Sequence, residues 1–410
     1  MNVSPSFSPP IGLMRPYFIL SAVFYILSMS SLFFMDPQSD FKDFHLIGWV
    51  HLYMLGFVMM AIFAAMAQLG PIVVESNHAY VKVFHYLHIL LTSGLLLMLF
   101  GFFQEITFLL FGGVLVLLAM LIYAIEFLFT IRKSRRKTSI TKAMKMSNFF
   151  LLLGITTGLV MAAAFNGHIN INPHDILNIH TFGLVVGFVI LLIMGISIIL
   201  IPMFGSSKRI SDNEFSNSFI TIALGVIVMM FSPFFYTEIL ENLSYAITTL
   251  AILLYLYQLY KMTSSRARVK HDIWAKSMYV AFTSFIFAFF LLLSFIVNGD
   301  EILLRVGMWL MFVGFFGFVI IGNFYKIIPF LVWFHIYSPL IEERAVPMLH
   351  ELLPNRLAHL QWFFSLCGLL LSTLGVLLKD REIFTGGVVL LTLGALIFFI
   401  TIEKVLKVKI

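Results

Sequence analysis

The chain has 410 residues, of which 60% are hydrophobic and only 11% charged, with a formal net charge of +6. A soluble protein of this length carries far more charge, so the composition excludes a soluble enzyme and points to an integral membrane protein. The single cysteine, Cys367, excludes an internal disulfide and a cysteine metal cluster.

A bilayer core about 30 Å thick needs roughly 20 apolar residues as helix. By that rule the chain reads as twelve spans, at 17–35, 45–73, 83–103, 106–131, 148–165, 176–204, 217–235, 239–260, 274–297, 303–332, 358–378 and 383–403. The first run, Tyr17 to Met35, is long enough to span and lacks a small-residue cleavage site, so it reads as a span and not as a cleavable signal. With the N-terminus in the cytoplasm, 22 of the 26 Lys and Arg residues fall on the inner side, among them Arg132, Lys133, Arg135, Arg136, Lys137, Lys142, Lys145, Lys208, Arg209, Lys261, Arg266, Arg268, Lys270 and Lys409. Only Lys42, Arg305, Lys379 and Arg381 fall outside. That bias predicts a multi-pass protein with both termini cytoplasmic. The basic residues lie in short loops between apolar runs, which argues for topology and against a nucleic-acid partner. The lipid bilayer is the expected partner.

Spans 2, 6 and 10 share a skeleton. A glycine stands fifteen residues before a proline and a small residue seven before it: Gly56/Ala64/Pro71, Gly187/Gly195/Pro202 and Gly314/Gly322/Pro329. The prolines are 131 and 127 residues apart, which predicts one transmembrane domain over 1–410 made of three four-helix repeats, approximately 17–131, 148–260 and 274–403, related by a pseudo-threefold axis. Glycine here has a packing reason, because small residues let helices approach closely in lipid, and the prolines are expected at the inner helix ends. Residues 336–357 form the longest connection, an inner interfacial loop with a short helix expected over Val346 to Leu353.

Polar groups inside a membrane are expensive and are functional candidates by default. The predicted topology puts His45, His51, His168, His174 and His180 on the outer side, and His78, His85, His88, His271, His335, His350 and His359 on the inner side. His51 and His180 lie one to two turns inside spans 2 and 6, roughly 6–10 Å deep at 1.5 Å per residue. Each reads either as a metal or haem ligand or as an interhelical hydrogen-bonding group. His168 and His174 flank span 6 as further ligands or as solvated loop residues. His85 and His88, spaced i, i+3, are an alternative inner metal or propionate site, or a hydrated pair at the boundary. Glu126, well inside span 4, reads as a proton relay or as one half of a pair with a nearby cation. Gln68 and Asn323 read as interhelical glue.

The segments HLYMLGFVMMAIFAAMAQLGPIVVE, HTFGLVVGFVILLIMGISIILIPMF and FYKIIPFLVWFHIYSPLI, set in twelve spans with both termini inside, resemble subunit I of the haem–copper oxidases. The likeness is closer to distant members of that superfamily and to the twelve-span proteins of the nitric-oxide-response (NnrS) type. The resemblance implies an all-α, oxidase-like fold in a bacterial-type inner membrane, a b-type haem (heme b) and a copper ion. It places His51 at the low-spin haem ligand of span 2 and His180 at a copper ligand of span 6, with His168 or His174 completing the set. Two departures stand out. Span 7 has no histidine, and Trp309 stands at the outer end of span 10 where a ligand is expected, which makes it a cofactor-contacting candidate. The resemblance therefore implies a haem or haem–copper oxidoreductase in nitric oxide or redox stress handling or sensing, and not proton-pumping oxygen reduction. The other reading is a haem or metal transporter or assembly factor that has lost its cofactors.

Overall fold

The computed structural model describes residues 7, 9–134, 137–235, 238–267 and 271–407. Arg135, Arg136, Arg268, Lys270 and Lys409, all used to orient the chain, lie outside the described residues. Among the described residues there are no strands, and twelve helices are long and apolar enough to cross a bilayer. They are α1 (Ile11–Phe34), α2 (Phe44–Val74), α3 (Val81–Phe103), α4 (Thr107–Arg132), α5 (Ser139–Phe165), α6 (Pro173–Gly205), α7 (Asp212–Phe235), α8 (Glu238–Ser264), α9 (Ile273–Asn298), α10 (Glu301–Leu340), α11 (Asn355–Leu378) and α12 (Arg381–Leu406). The chain is an all-helical, multi-pass membrane protein.

Most ends fall within a few residues of the hydropathy reading, and the exceptions have physical causes. Helix α5 begins at Ser139, nine residues ahead of the expected start at 148. Its first turn is polar, so a hydropathy window misses it, but it is well capped. Thr138 Oγ1 accepts from Thr141 N at 3.3 Å, and Asp212 accepts from Ser139 N at 2.9 Å and Ser139 Oγ at 2.8 Å. Helix α10 runs past the expected end at 332, through a π turn over Trp333–Tyr337 and a 3₁₀ turn over Ser338–Leu340. Pro329 thus lies inside a continuing helix, whereas Pro71 and Pro202 are three residues from their helix ends. The helix expected over Val346 to Leu353 is a correction. Only one 3₁₀ turn forms, Leu349–Glu351, closed by Glu351 Oε2 accepting from Met348 N at 2.8 Å. Pro347 and Pro354 stop it on both sides.

The helices that carry Pro71, Pro202 and Pro329 share an unusual backbone. A π-helical stretch covers Leu52–Met59 in α2, Gly183–Ile190 in α6 and Leu310–Phe316 in α10, and each opens nineteen residues before its proline (52 to 71, 183 to 202, 310 to 329). The widened turn is rare, and it tends to mark functional places. Each stretch contains the glycine that stands fifteen residues before the proline. A Cβ at Gly56 would lie 2.6 Å from Phe24 Cγ of α1, at Gly187 2.9 Å from Phe150 Cβ of α5, and at Gly314 2.5 Å from Ser284 Oγ of α9. Close helix approach therefore requires these three glycines. The position seven before the proline is less uniform. Gly322 is tight, at 2.7 Å from Ser277 Cβ, while Gly195 has ordinary room, with its nearest neighbour at 3.8 Å.

By contacts the described residues gather into two units, one built on 67–267, the other on 9–66 with 271–407. In the first, α3 and α4 form a tight hairpin, α4 packs on α5, α5 on the π stretch of α6, and α7 pairs with α8. In the second, α11 and α12 form the hairpin, α12 packs on α1, α1 on the π stretch of α2, and α9 on that of α10.

Candidate functional site

The first unit holds a buried His–Glu pair, and its origin is Pro71. A proline has no N–H, so the carbonyl four residues earlier, that of Ala67, loses its helical donor. His78, from the turn after α2, supplies a substitute, with Nε2 2.7 Å from Ala67 O. The other ring nitrogen, Nδ1, lies 2.9 Å from Glu126 Oε1. That oxygen also accepts from Thr130 Oγ1 at 2.8 Å and Ala79 N at 3.2 Å. One imidazole ring thus bridges a main-chain carbonyl and a carboxyl group. The His78 and Glu126 side chains are 4% and 1% exposed, so this is a buried polar pair. Of the two sequence readings of Glu126, the geometry matches pairing with a neighbouring side chain, and the partner is a histidine.

Glu126 has counterparts in the other hairpins. In each hairpin a glycine faces a backbone N–H of the second helix: Gly94 faces Val116, Gly225 faces Thr248, and Gly368 faces Leu391. Ten residues after that N–H stands a buried polar side chain, Glu126, Gln258 or Thr401. Gln258 ties α8 to α7, donating to Glu214 O at 2.7 Å and accepting from Ser218 Oγ at 3.1 Å. Thr401 bonds within its own helix, to Ile397 O at 2.7 Å. Among these three places, the carboxyl group stands where the chain delivers a histidine ring.

His180 lies near the start of α6, three residues before the first residue of its π stretch. It is half-buried. Its Nδ1 lies 2.7 Å from the carbonyl of Gly154 on α5, and a carbonyl only accepts, so Nδ1 carries the proton. In the neutral ring the lone pair is then on Nε2. The ring lies against Gly158, where a Cβ would come within 2.6 Å of Cε1 and 2.8 Å of Nδ1. His168 and His174 are exposed on the segment leading into α6, with His174 in a 3₁₀ turn capped by Asn172 Oδ1, 3.2 Å from His174 N. Asn166, just before them, donates to Ile106 O at 3.2 Å and Ala162 O at 2.8 Å, tying the end of α5 to the α3–α4 turn.

The second unit holds His51 and Trp309. His51 is half-buried and its Nδ1 bonds Ile47 O, one turn back, at 2.8 Å. His359 makes the same i−4 bond at the exposed start of α11, so this bond sets a tautomer without marking a site. Trp309 is buried in an aromatic stack. Its ring is 6.0 Å from Trp49 at 21°, and Trp49 is 5.6 Å from Tyr53 at 27°. Each polar edge is bonded: Trp309 Nε1 to Ser372 Oγ at 3.1 Å, Trp49 Nε1 to Ser28 O at 2.9 Å, and Tyr53 Oη to Phe312 O at 2.7 Å. Trp309 is thus placed among rings of α2 and α12, including Phe384 at 5.4 Å.

Trp49 and His180 occupy the same register, 22 residues before their prolines (49 to 71, 180 to 202), and they make the same bond. Each donates a ring N–H to a carbonyl of the preceding helix, four residues after the phenylalanine that packs on the π-stretch glycine (24 to 28, 150 to 154). At the third place the residue is Gly307, and the space is taken by Leu292, whose Cδ2 would lie 3.0 Å from an added Cβ.

On α3, His85 is exposed and His88, one turn on, is half-buried. Among the described residues no three His, Cys, Asp or Glu side chains gather where one metal ion would be held. Outside the spans, Asp43 caps α2. The backbone N–H of His45, 2.9 Å away, and then the His45 ring, hold its carboxyl below the usual range.

A haem needs an axial imidazole whose orientation is held from behind, typically by an Nδ1–H bond to a carbonyl. His180 meets that requirement between two helices, whereas the i−4 bond of His51 is one that the exposed His359 also makes. The donor set fits single axial ligation. A three-ligand copper centre does not gather from His168, His174 and His180 in the arrangement described. Two functional features were missed at the level of sequence. The partner of Glu126 had a signal in Pro71, which orphans a carbonyl just ahead of His78. The Gly154/Gly158 groove had one in the motif GITTG.

No family model and no curated protein matches the chain.

Proposed function

We propose that the chain is a membrane haem protein, three four-helix repeats on an oxidase-like scaffold, with N- and C-termini in the cytoplasm and the His180 end of α6 at the outer face. The observation that carries this reading is His180, an imidazole set between two helices with its Nδ1–H committed to Gly154 O, a bond that fixes the tautomer and the orientation of the ring. His51, tautomerically set in the same sense, is the second ligand candidate. The π stretches at a common offset from three prolines support the repeat reading. When bound, a haem supplies redox and gas-binding chemistry at its iron, and the reading assigns the chain to nitric oxide or redox stress handling. The chain's own contribution is a fixed imidazole and a water-poor setting.

The test is the reduced-minus-oxidised visible spectrum, with metal analysis, of purified wild type, His51→Ala and His180→Ala. A Soret band that weakens or shifts in His180→Ala supports the reading. A colourless, metal-free protein, even after expression with added haem, overturns it and favours the transport or assembly reading.

A further inference from the structure

We infer that Gly154 and Gly158 of α5 form a seat built for the His180 ring, with Gly158 a positioning residue for its Nε2. The inference rests on the haem reading for the purpose of the seat, and on geometry alone for its existence.

A GxxxG pair in a membrane helix is ordinarily a helix-packing motif, in which backbone meets backbone. Here the two glycines have separate neighbours. A Cβ at Gly154 would meet Leu184, with Cγ at 2.6 Å and the backbone N at 3.3 Å, while the three atoms nearest a Cβ at Gly158 would all belong to the imidazole, Cε1 at 2.6 Å, Nδ1 at 2.8 Å and Nε2 at 3.6 Å. The side chain that Gly158 makes room for is therefore His180. The other two corresponding places show why the glycine is needed. Four residues beyond Ser28, where Trp49 makes the matching bond, stands Leu32, and four beyond Ala288, beside Gly307, stands Leu292. A tryptophan reaches its carbonyl with an N–H far out on the indole. An imidazole has its Nδ1 next to Cγ, so it reaches the Gly154 carbonyl only by lying flat on α5, and any side chain at 158 occupies that space. The glycine occurs in the one copy that has the histidine.

A methyl group at 158 pushes the ring away from Gly154 O. The Nδ1–H bond then lengthens, and both the tautomer and the direction of Nε2 are released. This is a positioning role, because Gly158 offers no group to a ligand.

The test uses the full chain in detergent, with Gly158→Ala made in the wild-type and His180→Ala backgrounds, and Thr156→Ala, on the exposed side of the same turn, as control. Three readouts are taken: melting temperature, the ¹⁵N shifts of the His180 ring, and the haem spectrum. The expected result is a drop in melting temperature for Gly158→Ala that disappears in the His180→Ala background, with loss of the Nδ1–H tautomer signature and a haem band altered as in His180→Ala. An equal drop in both backgrounds overturns the seat. A background-dependent drop with a haem band that neither Gly158→Ala nor His180→Ala changes overturns the positioning role. A wild type that binds no haem sinks the haem reading, while the melting and ¹⁵N data still decide the seat.

Discussion

His78 donates Nε2–H to the carbonyl of Ala67 at 2.7 Å, the carbonyl that Pro71 leaves without a helical donor. The same ring bonds Glu126 through Nδ1, so one imidazole mends a helix and gives a buried carboxyl group its partner. Within this unit it ties the end of α2 to α4.

Removal of either partner leaves the other buried and unpaired. His78→Ala and Glu126→Ala are each expected to destabilise the fold by about 3–5 kcal/mol, and the double variant by less than the sum. Thermal melts of the four proteins in one detergent measure the coupling.

Pro71→Ala offers a finer check. It returns a main-chain N–H to the Ala67 carbonyl. In the His78→Ala background it is expected to recover about 1 kcal/mol, the value of one hydrogen bond. No recovery would show that the Ala67 carbonyl is satisfied in another way.

The glycines of the shared skeleton divide by space. Gly56→Ala and Gly187→Ala overlap Phe24 and Phe150 and are expected to lower stability by about 1–3 kcal/mol each. Gly195→Ala, with 3.8 Å to its nearest neighbour, is expected to be neutral or stabilising by about 0.4–1 kcal/mol. Unfolding of the three variants, followed by helical circular dichroism, separates the two classes.

The aromatic stack separates packing from hydrogen bonding. Trp49→Phe keeps a ring against Trp309 but loses the bond to Ser28 O, an effect of about 1 kcal/mol. Trp309→Ala removes the ring that lies between Trp49 and Phe384 and is expected to cost about 3–5 kcal/mol. Melting temperatures rank the two, and tryptophan emission reports the change around Trp49.

Asp43 sets a pH dependence at the start of α2. Its carboxyl is held below the usual range in the folded protein, so its contribution is present above the unfolded-state value and is lost as pH falls through the folded one. Asp43→Ala is expected to be less stable than wild type near neutrality, with the two melting curves converging under acid conditions. A constant gap at all pH values would count against this role for Asp43.

The membrane class, the twelve helices and the three recurring glycine–proline skeletons were legible in the chain, because hydropathy and small-residue spacing are local properties. The position of His180 near the head of α6 was legible in the same way. Several features were not. The π stretches depend on how many residues a helix inserts against its neighbour, and the run LYMLGFVM carries no mark of it. The early start of α5 depends on Asp212, 73 residues away, reaching Ser139. Trp309 could be read as standing in a ligand's place, but its bond to Ser372 and its stacking on Trp49 join three helices far apart in sequence.

The chain by itself determined that there would be a carboxylate at 126, a proline at 71 and a histidine at 180, and that each would lie in or beside an apolar helix. Tertiary structure alone decided what answers them: His78 for Glu126 and for the carbonyl Pro71 exposes, and the bare backbone of Gly154 and Gly158 for His180. The reason is physical. In a helix packed in lipid, an unpaired polar group is costly, and its partner must come from whichever segment packing brings within about 3 Å, a distance that periodicity along one helix does not encode.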